Sequence, residues 1–238
     1  MTLYLKHKDY LNGEYFTISP DFTLITDRWC DGSGLCEEEW VIDKIKANED
    51  GLFDFNKTFI DIGSEDGAYA MHLDFKENHC FEANKNMCCL IYGNMWLKDK
   101  VDNTFVHNVF LGSGGGQVMF NGFCGEGYPI YDLITDRSFG KEKYLVDMAT
   151  LDDFNITNVG LIKIDVEGAE LEVLKGAIET ITNNDYPPIL FEMHKLGEWG
   201  ETEEAQNELL NFLKSLGYDF IMNYGGDERN HLAVKRKD

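Results

Sequence analysis

Carboxylates and glycines gather in this sequence at the ends of short apolar runs. Asp61, Glu65 and Asp66 crowd a loop punctuated by Gly63 and Gly67, directly after Thr58-Phe59-Ile60. Glu82 follows Asp61 by twenty-one positions, at the end of His79-Cys80-Phe81. Asp165 closes Leu161-Ile162-Lys163-Ile164, with Glu167, Gly168 and Glu170 behind it, and Glu192 and His194 close Ile189-Leu190-Phe191. Acids in such places can accept ribose or substrate hydroxyls, balance a cation, or take part in proton transfer. His194 has the ordinary pKa for moving a proton. Each residue also has a plain account. Gly63 to Gly67 could be a simple strand-to-helix turn, Glu167 and Glu170 could offset a helix dipole, and a strand-end histidine is more often structural. Asp165 resists that treatment, because an aspartate ending a buried strand needs a partner or a task.

The spacing narrows the ligand. Gly63 and Gly67 follow G-x-x-x-G, whereas a dinucleotide fingerprint needs G-x-G-x-x-G, and positions 65 and 68 are Glu and Ala. A P-loop needs a lysine after its last glycine, and none is near. Three carboxylates in the loop oppose a pyrophosphate. A ligand with a ribose and a positive charge but no phosphates fits, and S-adenosylmethionine has that chemistry. Glu82 stands at the spacing from which a carboxylate accepts both ribose hydroxyls. Gly112-Ser-Gly-Gly-Gly116 precedes a strand, so it reads as a turn and not as a phosphate cradle.

These residues need a scaffold that brings strand ends together. From Thr58 onward, strand-like runs alternate with helical ones: 58–62, 79–83, 104–111, 117–120, 144–149, 161–166 and 187–194 as strands, with helices after several of them. The stretch directly after 161–166, with Leu171, Leu174, Ile178 and Ile181 on one face, reads as one helix. Thr202 and Gly217 bracket a helix, and Tyr218–Met222 and His231–Lys235 follow as a hairpin. The expected fold is α/β: a doubly wound, mostly parallel, seven-stranded Rossmann-like sheet with an antiparallel last strand. Residues 1–57 read as an N-terminal extension packing on or capping the core, and 58–238 as the main domain. Within the extension, 22–26 reads as a strand, Asp31–Gly34 as a loop, and Glu37–Lys46 as a helix with Trp40, Val41, Ile42 and Ile45 on one face.

The pieces Phe59-Ile-Asp-Ile-Gly63 with Gly67, Phe81-Glu82-Ala83-Asn84, Thr150-Leu-Asp-Asp153, Ile162-Lys-Ile-Asp-Val-Glu-Gly-Ala-Glu170 through Ala177, and Ile189-Leu-Phe-Glu192 together resemble the FkbM-type family of S-adenosylmethionine-dependent methyltransferases. The resemblance runs from about residue 58 to 194, and the lysine-to-glutamate string 163–170 is its most specific part. It implies transfer of a methyl group, usually to a hydroxyl of a sugar, glycan or natural product. It also implies a cofactor lying along Asp61, Gly63, Ser64, Asp66, Gly67, Glu82 and Ala83, with Asp165 at the methyl-transfer edge. Asn108 is placed near the adenine because the third strand must end there. Asp165, Glu192 and His194 are the catalytic candidates, and Lys163 reads as structural or as a carboxylate partner. Asp165, Glu167, Glu192 and His194 could instead hold a divalent cation, but nothing fixes ligand geometry and no metal is expected.

Composition sets the outer bounds. A formal charge of −22 over 238 residues, with no basic stripe, makes nucleic acid a poor partner. No apolar run is long enough to span a membrane, and the N-terminus lacks a signal-peptide core. Cys30, Cys36, Cys80, Cys88, Cys89 and Cys124 form no C-x-x-C pair, so reduced thiols and a cytoplasmic setting are expected. The partner is a small-molecule or glycan hydroxyl acceptor, which the sequence does not name; Tyr128, Tyr131, Phe139 and Trp199 could stack on it. Oligomeric state is not legible. Two other readings are a nicotinamide-dependent oxidoreductase and a methyltransferase-like domain that only binds a partner. The first needs the missing third glycine, and the second need not keep Asp61, Glu82 and Asp165.

Overall fold

The computed structural model describes residues 3–6, 15–18, 39–123, 126–130, 142–197 and 201–236. The strand expected at 22–26, the loop Asp31–Gly34 and the aromatics Tyr131, Phe139 and Trp199 lie outside these. Two short strands, β1 (Leu3–Lys6) and β2 (Tyr15–Ile18), pair antiparallel. Helix α1 (Glu39–Ala47) buries Val41, Ile42 and Ile45. Trp40, expected on the same face, is 73% exposed.

The main sheet begins with β3 (Thr58–Ile62), whose five residues are all buried. Helix α2 (Ala68–His72), β4 (Glu77–Phe81), α3 (Lys85–Leu97) and β5 (Thr104–His107) follow. Asn84 caps α3, its side chain accepting from the Asn86 N–H. The chain returns to this sheet at β10 (Val159–Ile164), then runs through α4 (Glu170–Lys175), α5 (Ile178–Asn183), β11 (Ile189–Glu192), α6 (Glu203–Ser215), β12 (Tyr218–Ile221) and β13 (Asn230–Lys235). Spatial order is β12-β13-β11-β10-β3-β4-β5, with only β13 antiparallel to its neighbours. The expected seven-stranded, mostly parallel sheet with an antiparallel last strand is therefore the observed one.

Alternation along the central strands assigns each face its partners. Ile60, Ile62, Ile162 and Ile164 pack with Val173, Leu174, Ile181, Leu209 and Leu213 of α4, α5 and α6. Phe59 and Leu161 pack on the other face with α1, α2 and α3, through Val41, Ile45, Tyr69, Ile91 and Met95. Residues of the second parity further along, Asp61, Lys163 and Asp165, therefore emerge toward the α1–α3 face.

Three local expectations fail. The run 104–111 splits after His107, and β6 (Phe110–Leu111) leaves for a second sheet. That sheet, ordered β6-β9-β7-β8, also takes β7 (Gly116–Phe123), β8 (Glu126–Ile130) and β9 (Glu142–Ala149), so 117–120 and 144–149 are not part of the parallel alternation. Tyr128, named above as able to stack on an acceptor, lies in β8. The single helix expected through Leu171, Leu174, Ile178 and Ile181 is interrupted at Gly176 and Ala177, and Gly176 lies so close to the Gly112 carbonyl oxygen that a Cβ there would sit 2.0 Å from it. The break turns Ile178 outward, 39% exposed. Among the described residues, no helix is long and apolar enough to cross a membrane.

His79 and His107 stack at the β4–β5 edge with ring centroids 5.2 Å apart, Nδ1 of His79 lying 3.1 Å from Nε2 of His107. Burial, then the neighbouring His79, lowers the His107 pKa to about 4; burial also lowers that of His79 against the opposing Glu77. The folded state therefore prefers neutral rings, and this contribution is complete above pH 6.5 and lost as pH falls toward 4. The expected outcome is a thermal midpoint that declines across that window. In His107→Phe, with Phe81 and Phe154 flanking the new ring, the decline is shallower in thermal melts followed from pH 7 to 4.

Candidate active site

The parallel strands present their carboxyl ends on one edge, and the order β4-β3-β10 places the switch point of the sheet between β3 and β10. Ligands of open α/β sheets bind outside such a point. Asp61 and Lys163 are register partners across β3 and β10. The Lys163 Nζ lies 3.8 Å from Asp61 Oδ1, 3.1 Å from Asp165 Oδ2 and 3.4 Å from the Gly63 carbonyl oxygen, and 4.9 Å above the Tyr69 ring. The side chains of Asp61 and Lys163 are 1% and 5% exposed, and that of Asp165 is 24% exposed. A lysine buried here is held by flanking opposite charge, as the sequence reading of it as a carboxylate partner expected.

Past β3 the chain turns through Gly63, with φ of 73° and no room for a Cβ, which would fall 1.6 Å from the Asp165 carbonyl oxygen. The Asp165 N–H in turn donates to the Ile62 carbonyl. The two strand ends are thus locked side by side. Ser64 donates its hydroxyl to the Asp61 carbonyl at 2.7 Å, and Asp66 accepts from the Ala68 N–H at 3.2 Å. Gly67, with φ of 81°, sits against Ile91 and Met95 of α3.

Glu82 lies just past β4 and is buried. Its two carboxyl oxygens accept from the Glu65 N–H at 2.9 Å and the Asn84 N–H at 2.6 Å. Burial pushes its pKa up to about 7, against the two backbone donors. The Asn108 amide donates to the Glu82 and Ala83 carbonyls at 2.9 and 3.0 Å, so this residue fixes the β4 end from β5. Ala83 is buried with Val118, Phe120 and Val146 of the second sheet and Ala169 beside α4. That packing stands the second sheet at the same edge.

On the other side of Asp165, Glu192 ends β11. Burial, then the Asp165 carboxylate, raises the Glu192 pKa to about 10, so Glu192 keeps its proton and donates a hydrogen bond to Asp165. Burial works against ionised Asp165, but Lys163, this bond from Glu192 and His194 outweigh it and keep its pKa low. Arg229, just before β13, reaches Glu192 Oε1 with Nε at 3.4 Å. His194 Nε2 lies 3.3 Å from Glu167 Oε2 and 3.6 Å from Glu192 Oε2. Glu170 instead accepts from the Val166 and Gly168 N–H groups with Oε1.

The structure thus brings Asp61, Gly63, Asp165, Glu192 and His194 into one connected cluster, with Ser64, Asp66, Gly67, Glu82, Ala83 and Asn108 in the adjoining loop and β4 end. Arg229 was missed, because it is remote in sequence and only the β11–β13 pairing brings it in. Glu167 had a plain reading as a helix-dipole acid and a second as a cation ligand together with His194; the structure brings the two together as a carboxylate–imidazole pair. Asp165, Glu167, Glu192 and His194 are paired with one another; among the described residues, no group of three or more His, Cys, Asp or Glu side chains is arranged to hold a metal ion.

Residues 61–220 match the family model described as Methyltransferase FkbM domain. The chain belongs to the FkbM methyltransferase family. Among solved structures it is similar to the methyltransferase FkbM from Methylobacillus flagellatus KT, with a TM-score of 0.54 and 18% identity over 77% of this chain. The chain spans 45% of the length of that relative. It is also similar to a putative caffeoyl-CoA O-methyltransferase from Staphylococcus aureus, with a TM-score of 0.51, 11% identity and 85% of each chain covered. At these identities the likeness is one of fold. No curated protein sequence matches. The FkbM model spans every site residue described above except Arg229.

Removing the Lys163 ammonium leaves two close carboxylates without their cation. Lys163→Met is expected to lower stability by about 3–5 kcal/mol in denaturant unfolding. The double variant with Asp61→Asn is expected to lose less than Lys163→Met alone, because one stranded charge is gone.

Proposed function

We propose that this FkbM-family protein is an S-adenosylmethionine-dependent O-methyltransferase acting on a hydroxyl of a sugar, glycan or natural product. The observation that carries this reading is the row of carboxylates Glu82, Asp61 and Asp165 at the ends of adjacent strands β4, β3 and β10, beside a glycine turn with no lysine. Such a row suits a cationic nucleoside and opposes a pyrophosphate. The residues present fit the cofactor: Glu82 for the ribose hydroxyls, Asp61 and the Gly63–Gly67 turn for the amino-acid and sulfonium end, and Asn108 beside the adenine. When bound, the cofactor supplies a methyl group whose bond to sulfur breaks with the electron pair remaining on sulfur.

The protein's own task is alignment and proton removal. Asp165, ionised and pinned by Lys163, accepts a hydrogen bond from the acceptor and orients it. His194 takes the hydroxyl proton as the oxygen bonds to the methyl carbon. Burial would lower the His194 pKa, yet Glu167, Glu170 and Asp165 more than reverse it and raise it above 6.5. Glu192, holding its proton, keeps Asp165 in place. The second sheet, packed on Ala83 and Ala169, flanks the acceptor side. The same reading takes 58–238 as the catalytic domain and 1–57 as an extension on it, in a cytoplasmic setting. α1 of that extension already shares a core cluster with Phe59 and Leu190.

Calorimetry with S-adenosylhomocysteine and NAD tests the cofactor; binding of NAD, or no binding of S-adenosylhomocysteine, overturns the proposal. Glu82→Ala is expected to weaken S-adenosylhomocysteine by about 1–3 kcal/mol, and unchanged affinity would remove it from the site. A screen of hydroxylated acceptors read by product mass identifies the acceptor. With that acceptor, the rate is expected to rise with pH through the raised His194 pKa and to level off once the imidazole is neutral.

A further inference from the structure

Glu167 fills a left-handed position of its turn, where a glutamate is disfavoured. Its φ is 55°, and Gly168 follows at 97°. A glycine serves such a left-handed position better than a glutamate does. Nor is the Glu167 carboxylate needed to satisfy the turn, since Glu170 already takes the Val166 and Gly168 N–H groups at 3.2 and 3.1 Å. What the kink achieves is to bring Glu167 Oε2 to 3.3 Å from His194 Nε2. The imidazole side chain is 3% exposed and the glutamate side chain 25%, with the Oε2 that faces the ring buried, so the glutamate is the member of the pair nearer water.

We propose that Glu167 is the positioning residue for His194: it orients the imidazole, sets its proton occupancy and passes its proton to solvent. The inference rests on the reading of His194 as the proton acceptor. A buried imidazole without an anion is a weak base, because burial disfavours its charged form. The other groups around it are Glu192 from its own strand, Asp165 and Glu170 from the β10–α4 turn, and Glu201 ahead of α6. Glu192 is neutral and tied to Arg229, and Glu170 is tied to backbone donors. Glu167 is therefore the carboxylate that answers the charge on the ring. In turnover the acceptor proton moves to the imidazole, the imidazolium is balanced by Glu167, and the proton leaves through that carboxylate to water, restoring the neutral ring.

The test needs neither cofactor nor acceptor. His194 is titrated by NMR in the ligand-free protein, assigned with His194→Asn, and compared in Glu167→Gln and Glu167→Gly. The expected result is a midpoint lower by about one pH unit or more in both variants, the shift an opposite charge at this distance supports. An unchanged midpoint overturns the proposal. Glu167→Gly, whose backbone suits the turn, decides the matter if the glutamine disturbs folding. Both variants are expected to bind S-adenosylhomocysteine within twofold of the wild type. Absence of binding in the wild type as well would count against the cofactor reading and leave the titration to judge Glu167. With an acceptor in hand, Glu167→Gln is expected to lower kcat at least tenfold with KM little changed and to move the acid limb of the rate profile downward. A fall in KM-dependent binding alone, with kcat and the limb unmoved, would also overturn it.

Discussion

The buried ammonium of Lys163 is the interaction on which the site depends. It stands between Asp61 on β3 and Asp165 past β10, at the point where the sheet reverses its winding. Without it, the two carboxylates would be driven apart or protonated, and neither could present an ionised oxygen at the edge. The backbone makes the same join independently. Gly63 leaves room for the Asp165 carbonyl where any side chain would collide, and the Asp165 N–H donates to the Ile62 carbonyl. One charge and one missing Cβ therefore hold the two central strand ends in register.

Around that join, the site distributes protons unevenly among close acids. Asp165 is kept ionised by Lys163, and its neighbour Glu192 is kept neutral by burial and by Asp165 itself. Two carboxyls so near cannot both ionise, and the lysine decides which one does. Glu82 and Glu170 share a third condition, buried but met by backbone N–H groups, with pKa values near 7. Each of these settles a loop: Glu82 holds Glu65 at φ of 50°, and Glu170 holds the turn through Glu167. The acidity of the chain is thus not only a solvated face. At this edge, part of it is neutralised, paired or turned into turn geometry.

The second sheet shows how the same edge is enclosed. It arises from the long connection between β5 and β10, which a doubly wound sheet must span to cross from one flank to the other. Its apolar face, with Phe110, Val118, Phe120 and Val146, closes on Ala83 and Ala169, small residues at the β4 and β10 exits. Small side chains there let the insertion approach the edge closely.

The sequence alone determined the strand-helix alternation, the antiparallel close, and the carboxylate at each strand end. Periodicity, glycine turns and the string 162–170 are local patterns, and local patterns survive without a fold. It also excluded phosphate cradles, because those need particular residues at fixed spacing. Other features were beyond it. The run 104–111 looks like one strand, and only pairing partners show that it serves two sheets. The helix expected through Leu171 to Ile181 is two helices, with Gly176 between them lying against Gly112, sixty-four positions earlier. Arg229 joins Glu192 through an antiparallel pairing, and Glu167, grouped with His194 from the sequence as a possible cation ligand, instead pairs with its imidazole across a left-handed kink. These are contacts between distant segments. Their physical cause is the register of neighbouring strands, which places side chains within a few ångströms regardless of their separation along the chain. The types of residue at this edge were legible one by one; which of them share a proton, a charge or a turn was decided only when the sheet brought them together.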